Sequence, residues 1–571
     1  MKSKKLVTLC AAIMSLSIIV TACGQKAAAP TASKPKESLE VHTTDIIKGE
    51  HPEKNPNVAK NRKDTLVIGT DTPDGVFNPL YAESSYDIYI NEAMFDPLLD
   101  MDAQGNPLPG IAEKWEISDD GLNYTFHIRK GVKFSDGTPV TADDVAFSYY
   151  VLLDSSYDGP SDATALGIKG WQAYNKGTAS TIEGIKVTDP QTITFALDKP
   201  NASTIYNFTS YAGHIVSKAY YGKDYKQGNT SSIKALNKKP MGCGAYKLVS
   251  YKDGVEADLV ANDSYWKGAP KIKNLIYKCT NEQTRIQMLT SGETDTDMVT
   301  VNTKNVQQLK DAGFFNIQMF PTNGYGYIGM NVSLPQFSDK KVRQALAYGL
   351  NRKQIVDTVY KGYADVCNEP NSKVSWAFNP DVNQYEYDQK KAEQLLDEAG
   401  WKKGADGIRE KDGKKFEIHF SATSPNVVND AIIPIAKDNY EKLGIKFIPE
   451  QMEFNAVNDK IKSGKVEMYF MAWGLNADPD CTTIFKTKGS QNRLKYSNPK
   501  VDDLLDKGLR ATKLEDRKVI YKDLWKELND DLPYIFMYQR RDMWPVNERV
   551  KNINISPYRD FTYDLWHAEI Q

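Results

Sequence analysis

The chain has 571 residues, and 72 Lys and Arg against 74 Asp and Glu leave a net charge of −2. That balance excludes the strongly basic surface by which proteins hold nucleic acid. With 40% hydrophobic and 26% charged residues the composition is that of an ordinary globular protein, long enough for two or three cores rather than one.

The chain opens with Lys2, Lys4 and Lys5, runs apolar from Leu6 to Val20, and reaches Thr21-Ala22-Cys23-Gly24. A basic start and an apolar stretch short of a membrane span predict a secretory signal over residues 1–22. The small residues before the cysteine resemble a lipobox, with Val20 where Leu is commoner. That resemblance implies diacylation of Cys23, and two acyl chains suffice for stable anchoring. Residues 23–63, rich in Ala, Lys, Pro, Thr and Glu without an apolar period, are expected to be the lipidated Cys and a flexible tether. A coil of that length reaches roughly 35 Å.

The body begins with an apolar strand, Thr65 to Thr70, then the turn Asp74-Gly75, then a helix carrying Ile90, Met94 and Phe95. Next comes the most informative stretch, Ile111 to Tyr150. Asp119-Asp120-Gly121 predicts a hairpin turn, and the following strand alternates Tyr124, Phe126, Ile128 with Thr125, His127, Arg129. Ser135-Asp136-Gly137 turns the chain again, and Thr141 with Asp144 predicts a capping box opening a helix through Val145, Tyr149 and Leu152.

These residues, W-x-x-S-D-x-G-x-x-Y-T-F-x-I-R-x-G-V-K-F-x-D-G-x-P-x-T-A-x-D-V-x-F-S, resemble the signature of bacterial solute-binding proteins of family 5, the receptors that feed ABC importers. Later landmarks continue the likeness. Gly242-Cys243-Gly244-Ala245-Tyr246 resembles a turn entering a strand, its two glycines suiting a close backbone crossing. Ser291-Gly292-Glu293 with Asp295, the strand Tyr325 to Asn331, and a capped helix from Ser338 follow. Strands Lys415 to Phe420 and Ile445 to Pro449 flank a helix over 426–443, Glu467 to Trp473 reads as a central strand, and a helix is expected from Leu505 to Asn529.

The resemblance implies an α/β, class II periplasmic-binding-protein-like fold, two lobes with a hinge plus an extra inserted domain. Matched onto this chain, lobe I takes 64–97, 218–323 and 538–571, the inserted domain 98–217, and lobe II 324–537. Its crossovers fall near Pro321 to Tyr327 and Phe536 to Gln539.

By the same resemblance a ligand lies extended between the lobes and pairs by its main chain with strand-like edges. One edge is Ala82, Glu83, Ser84, Ser85 and Tyr86; the other is Ala472, Trp473, Gly474 and Leu475. Tyr325, Tyr327 and Tyr538 either line the floor or simply pack. Peptide receptors of the family carry an Asp three residues after this Trp, for the ligand's α-ammonium; here Asn476 stands there. An amide offers no charge to a buried ammonium. The departure therefore points to a receptor that does not demand a free α-amine, unless Asp478 or Glu83 serves instead. It leaves room for glycosidic, cationic or metal-chelate ligands.

An exported hydrolase is the contrasting class, but G-x-S-x-G, H-E-x-x-H and G-x-x-x-x-G-K-[ST] are absent and the six histidines are scattered. No catalytic residues, metal ligands or cofactor are expected. Cys243, Cys279, Cys367 and Cys481 leave disulfide pairing open. The expected partners are a peptide or small solute, ABC permease subunits and, through the lipid, the outer face of the cell membrane; the receptor itself is expected to be a monomer. A peptide-signal sensor on the same fold is a further alternative.

Overall fold

The computed structural model describes residues 44–209 and 213–571, so the signal segment, Cys23 and the first part of the tether lie outside the described residues. Residues 44–63, expected as tether, are instead built into the body. Asp45–Ile47 (β1) pairs antiparallel with the later strand Phe315–Pro321 and covers its outer edge. The Asn55 side-chain amide exchanges hydrogen bonds with that of Asn547, Ala59 is fully buried, and Arg62 reaches Asp295 at 3.1 Å. Polar composition concealed this because the segment is fixed by hydrogen bonds and one edge strand, not by an apolar face.

Thr65–Thr70 (β2) follows, then the helix Ser85–Met94 (α1). The signature forms the hairpin Ala112–Ile117 (β3) and Asn123–Ile128 (β4), with Gly121 at φ 68°, and the helix Ala142–Leu152 (α2). One oxygen of the Asp144 carboxylate accepts from both the N–H and the hydroxyl of Thr141, at 2.8 Å each. Its other oxygen accepts from the Lys218 N–H, so one capping residue also ties down a distant loop. Ile185–Asp189 (β5) and Thr192–Ala196 (β6) complete an antiparallel sheet in the order β3-β4-β6-β5.

Tyr246–Lys252 (β7), Glu256–Ala261 (β8) and Asn274–Cys279 (β9) form a sheet with β2, ordered β2-β9-β8-β7. The glycines before β7 fulfil the expected close crossing. A Cβ on Gly242 would lie 2.1 Å from the Met94 carbonyl oxygen and one on Gly244 2.4 Å from its carbonyl carbon. The two small sheets and α1 share one apolar core, which includes Leu66, Ile90, Phe126, Phe195, Tyr246 and, from the far end of the chain, Phe561.

Phe315–Pro321 (β10) and Gly324–Met330 (β11) enter the large sheet on either side of a two-residue step. The helix Lys340–Gly349 (α3) is capped by Asp339 rather than Ser338, the Asp339 carboxylate accepting from the Lys341 N–H at 2.9 Å. Glu417–Thr423 (β12), Val427–Lys442 (α4) and Lys446–Met452 (β13) form the expected β-α-β unit with parallel strands, and Met468–Gly474 (β14) is flanked on both sides. The long helix expected over 505–529 is two, Pro499–Arg510 (α5) and Leu514–Asp531 (α6). Ala511 is extended between them, and the Arg517 guanidinium donates to the Gly508 carbonyl across the break.

Tyr534–Asn547 (β15) joins everything: its first part pairs with β11 and its second with β10, in a sheet ordered β1-β10-β15-β11-β14-β12-β13. Apolar cores lie on both faces of the β11-β14 half, one around Leu346, Phe420 and Ile535, the other around Tyr327, Tyr521 and Trp525. The four described cysteines are unpaired thiols.

Candidate functional site

The residues preceding α1 form a fixed turn. The Ser84 hydroxyl accepts from the Tyr86 N–H at 3.2 Å, capping the helix, and the fully buried Asp87 carboxylate accepts from the N–H groups of Asp74, Gly75 and Val76 at 2.9–3.0 Å. Ala82 is buried; Glu83 and Ser85 are exposed; Tyr86 and Tyr89 point from α1 toward open cavities. On the other edge, Ala472 and Gly474 are exposed and Trp473 and Leu475 half-buried, the alternation of a strand end with one free face.

The tyrosines do not form a ligand surface. Tyr325 and Tyr327 are each 3% exposed and packed in a closed aromatic cluster. Tyr327 stacks on Tyr534, with centroids 4.0 Å apart, and lies parallel to Trp473 at 6.1 Å. Tyr538, also buried, turns to the opposite core, against Tyr360 and Phe470. These three are packing residues, because the pleat of β11 and β15 directs them into the two cores.

Asp478 is likewise committed elsewhere. Its carboxylate takes both guanidinium nitrogens of the buried Arg517, at 2.6 and 3.0 Å, and a hydroxyl hydrogen bond from Ser203 at 2.8 Å. It is not free for an ammonium. Asn476 is exposed, and its backbone carbonyl accepts from the Asn323 amide at 3.0 Å.

The open volume lies beside α1. One cavity of about 320 Å³ is walled by Tyr89, Trp266, Trp544, Tyr558 and Tyr563 and by five carboxylates, Glu92, Asp96, Asp100, Asp542 and Asp560. A second, of about 250 Å³, is lined by Thr70, Tyr86, Arg285, Arg540 and Arg541 among others. Tyr89, Met298, Asp542 and Trp544 line both, so the two are neighbours. Aromatic walls with a few convergent polar groups are the usual make-up of a small-ligand site.

Charges in this cleft are unevenly matched. Lys267 pairs with Asp100 at 2.7 Å and lies over the Trp266 ring. Burial raises the Asp96 carboxyl, opposed by Lys267 and by hydrogen bonds from Trp266 Nε1 at 2.5 Å and the Tyr265 hydroxyl at 3.2 Å. Burial, and then Asp560, pushes Glu92 well above the usual carboxylate range. In the second cavity Arg285 is saturated by Asp71, Glu282 and Asp297, and Arg541 pairs with Asp45. Among the described residues the ion-pair partner of Arg540 is Asp542, at 3.9 Å.

Of the site residues expected from the sequence, this cleft includes Tyr86 alone. Two signals were readable: Glu92 stands three residues from Tyr89 on a half-buried helix, and Gln539-Arg540-Arg541-Asp542 interrupts a strand that is apolar on either side of it. Asp560 gave none. Among the described residues no group of three or more His, Cys, Asp or Glu is placed to hold a metal ion, and no helix is long and apolar enough to cross a membrane.

Two lobes joined through a common strand, with an aromatic and charged cleft beside the crossing, define a two-lobe binding protein of the periplasmic type. The model of bacterial extracellular solute-binding proteins, family 5 Middle, matches residues 106–494. The chain belongs to that family. It is 30% identical over 519 residues to the oligopeptide-binding protein AppA of Bacillus subtilis (strain 168), covering 88% of this chain and 91% of the relative. It is 29% identical over 471 residues to the dipeptide-binding protein of Escherichia coli (strain K12), covering 79% and 84%. Among solved structures, B. subtilis AppA in complex with a nonapeptide superposes with a TM-score of 0.67 at 27% identity, over 89% of this chain and 99% of that one. HbpA2 from Haemophilus parasuis gives a TM-score of 0.77 at 26% identity, over 89% and 100%.

Proposed function

We propose that this protein is the extracytoplasmic, lipid-anchored substrate-binding component of an ABC importer, taking peptides between its lobes and delivering them to the permease. The observation that carries the reading is the match to named peptide-binding relatives along most of the chain, and it is supported by the cavity beside the lobe crossing that lobe I lines with Tyr86 and Arg540 and lobe II with Tyr360 and Tyr363. The receptor performs no chemistry; closure of the lobes on the ligand is a hinge motion. Lobe II runs from 324 to 537 in this reading, so the hinge comprises the step at Thr322-Asn323 and the passage of β15 through Gln539. The buried Gln539 amide supports that placement, since it donates to the Thr322 carbonyl at 2.6 Å and so ties one crossing to the other. Cys23 supplies the anchor after signal cleavage, and the body acts as a monomer on the outer face of the membrane.

The test is native mass spectrometry of protein beginning at residue 24, as purified. A ladder of peptide-sized masses released on denaturation is the expected result. A single non-peptide mass would replace the peptide reading with that of a receptor for another solute.

A further inference from the structure

Between the short strand Ala364–Asp365 and the helix Gln389–Glu398 the chain has neither helix nor strand. An irregular run of that length inside a compact body is uncommon, and where it is ordered it usually serves a function. Its middle is a fixed loop. The Asn379 N–H donates to the Glu369 carboxylate at 3.0 Å and closes residues 369–379 on themselves. Inside, the Ser375 N–H donates to the Ser372 carbonyl and the Phe378 N–H to the Ser375 carbonyl, each at 3.0 Å. The helix α6 holds both legs: Trp525 Nε1 donates to the Ala377 carbonyl at 2.8 Å, and Asn529 Nδ2 to the Asn368 carbonyl at 2.8 Å.

The same loop grips the two crossings. Gln539 Nε2 donates to the Ser372 hydroxyl at 2.6 Å, and Gln539 Oε1 accepts from the Lys373 N–H at 3.1 Å. The Ser372 hydroxyl donates in turn to the Thr322 carbonyl at 3.2 Å. Beyond this base stands Val374, an apolar residue between Lys373 and Ser375 and only 4% exposed. It joins neither of the cores on the two faces of the β11-β14 half. It lies instead in a small cluster with Met101 and Tyr558, against which Ala477 and Tyr563 pack. In the proposed assignment Val374 belongs to lobe II, Met101 to the inserted domain and Tyr558 to lobe I.

The seated loop also carries a cost. Asn371 is 4% exposed, and among the described residues its Nδ2 has no hydrogen-bond partner. Water would supply one if the loop lifted, so a buried valine favours the seat and a buried amide opposes it. Opposed contributions keep two arrangements close in free energy, which a reversible movement requires.

We propose that residues 369–379 form a strap: anchored on Gln539 and α6, it seats Val374 against Met101 and Tyr558 when the lobes are together and releases it when they part. The inference rests on the hinged two-lobe reading and adds a latch that is independent of ligand. No residue of the strap lines either cavity beside α1, so its contribution to closure is separate from any ligand contact there.

The experiment uses ligand-stripped protein beginning at residue 24, so its outcome does not depend on whether a peptide ladder is found. Hydrogen exchange read by mass spectrometry is combined with small-angle scattering. Val374→Ala deletes two buried methyl groups and should speed amide exchange in 372–379 roughly tenfold, with β12 and β14 unchanged. Met101→Asp puts a charge in the seat from the opposite side; it should free the same segment and enlarge the radius of gyration. Should Met101→Asp not fold, Val374→Asp places the charge from the strap's side and is read in the same way. Wild-type exchange in 372–379 would overturn the inference. So would faster exchange spread over β12 and β14, which would make Val374 an ordinary packing residue. A freed segment with a wild-type radius of gyration in the Asp variant would equally overturn it, because the strap would then move without the lobes.

Discussion

Asp478 shows why spacing along the chain does not assign a charge. It lies five residues beyond Trp473, near the edge where an ammonium was expected, yet it turns into the protein to meet Arg517, 39 positions away. Both side chains are at most 5% exposed, so neither tolerates the loss of the other. Asp478→Ala strands a buried guanidinium and should cost about 3–5 kcal/mol in urea unfolding. Replacing both partners by apolar residues should cost less than that single change; a larger loss in the double variant would contradict this account. Glu369 gives a second prediction, in pH. It is 2% exposed and, among the described residues, its carboxylate accepts from the Asn379 N–H alone, at 3.0 and 3.3 Å, so burial pushes it up to about 8 from the usual 4.5. Between those values the folded chain keeps a proton that the unfolded chain has released. Its contribution to stability is therefore complete below pH 4.5, declines as pH rises toward 8, and is level above. Glu369→Gln removes that decline, and the variant's melting temperature should gain on wild type between pH 5 and 8. Parallel curves would show that Glu369 is not the titrating group.

Elements with an apolar period were legible: the signature hairpin and α2, the β-α-β unit around α4, and the apolar strand β14 all stand close to where alternation or capping put them. What periodicity could not show is an element held by edge hydrogen bonds. β1 offers β10 three residues and little apolar surface, and Asn55, Arg62 and Asp45 secure the segment by polar contacts with Asn547, Asp295 and Arg541. Protein shortened to begin at residue 64 should therefore lose about 2–4 kcal/mol relative to one beginning at residue 44, from those contacts and the burial of Ala59. Equal stability would return residues 44–63 to the tether. β11 carries a constraint of a different kind. A Cβ on Gly326 would stand 2.6 Å from the Tyr538 ring of β15, so glycine is needed for the ring to cross the strand. Gly326→Ala should cost about 1–3 kcal/mol through overpacking at the hinge.

At the scale of the whole molecule, the succession of landmarks made the two-lobe fold legible, but contacts across the cleft were not. They pair residues hundreds of positions apart that carry no mutual pattern. The Ser203 hydroxyl, in the segment Ala202–Phe208 that shares its core with lobe I, donates to Asp478 of lobe II, 275 positions on. The neighbouring Tyr206 ring lies under the Arg517 guanidinium at 5.9 Å. Asn323, at the crossing, donates to the Leu475 carbonyl at 2.7 Å and accepts from the Tyr558 hydroxyl at 3.3 Å. In the proposed assignment the contacts of Ser203, Tyr206 and Asn323 with Asp478, Arg517 and Leu475 reach lobe II, whereas that of Asn323 with Tyr558 stays within lobe I; the contact of Ser203 is then expected to favour the closed arrangement over an open one. Ser203→Ala deletes that contact without touching either cavity, at about 1 kcal/mol, or roughly a fivefold shift toward the open form. Ligand binding must then supply that difference, so affinity should fall by up to about fivefold although no ligand contact has changed. Small-angle scattering of the ligand-free variant should show a larger radius of gyration, and titration calorimetry the weaker affinity. Wild-type values in both would mean that closure does not depend on this contact, and would transfer the role to Asn323 and the hinge.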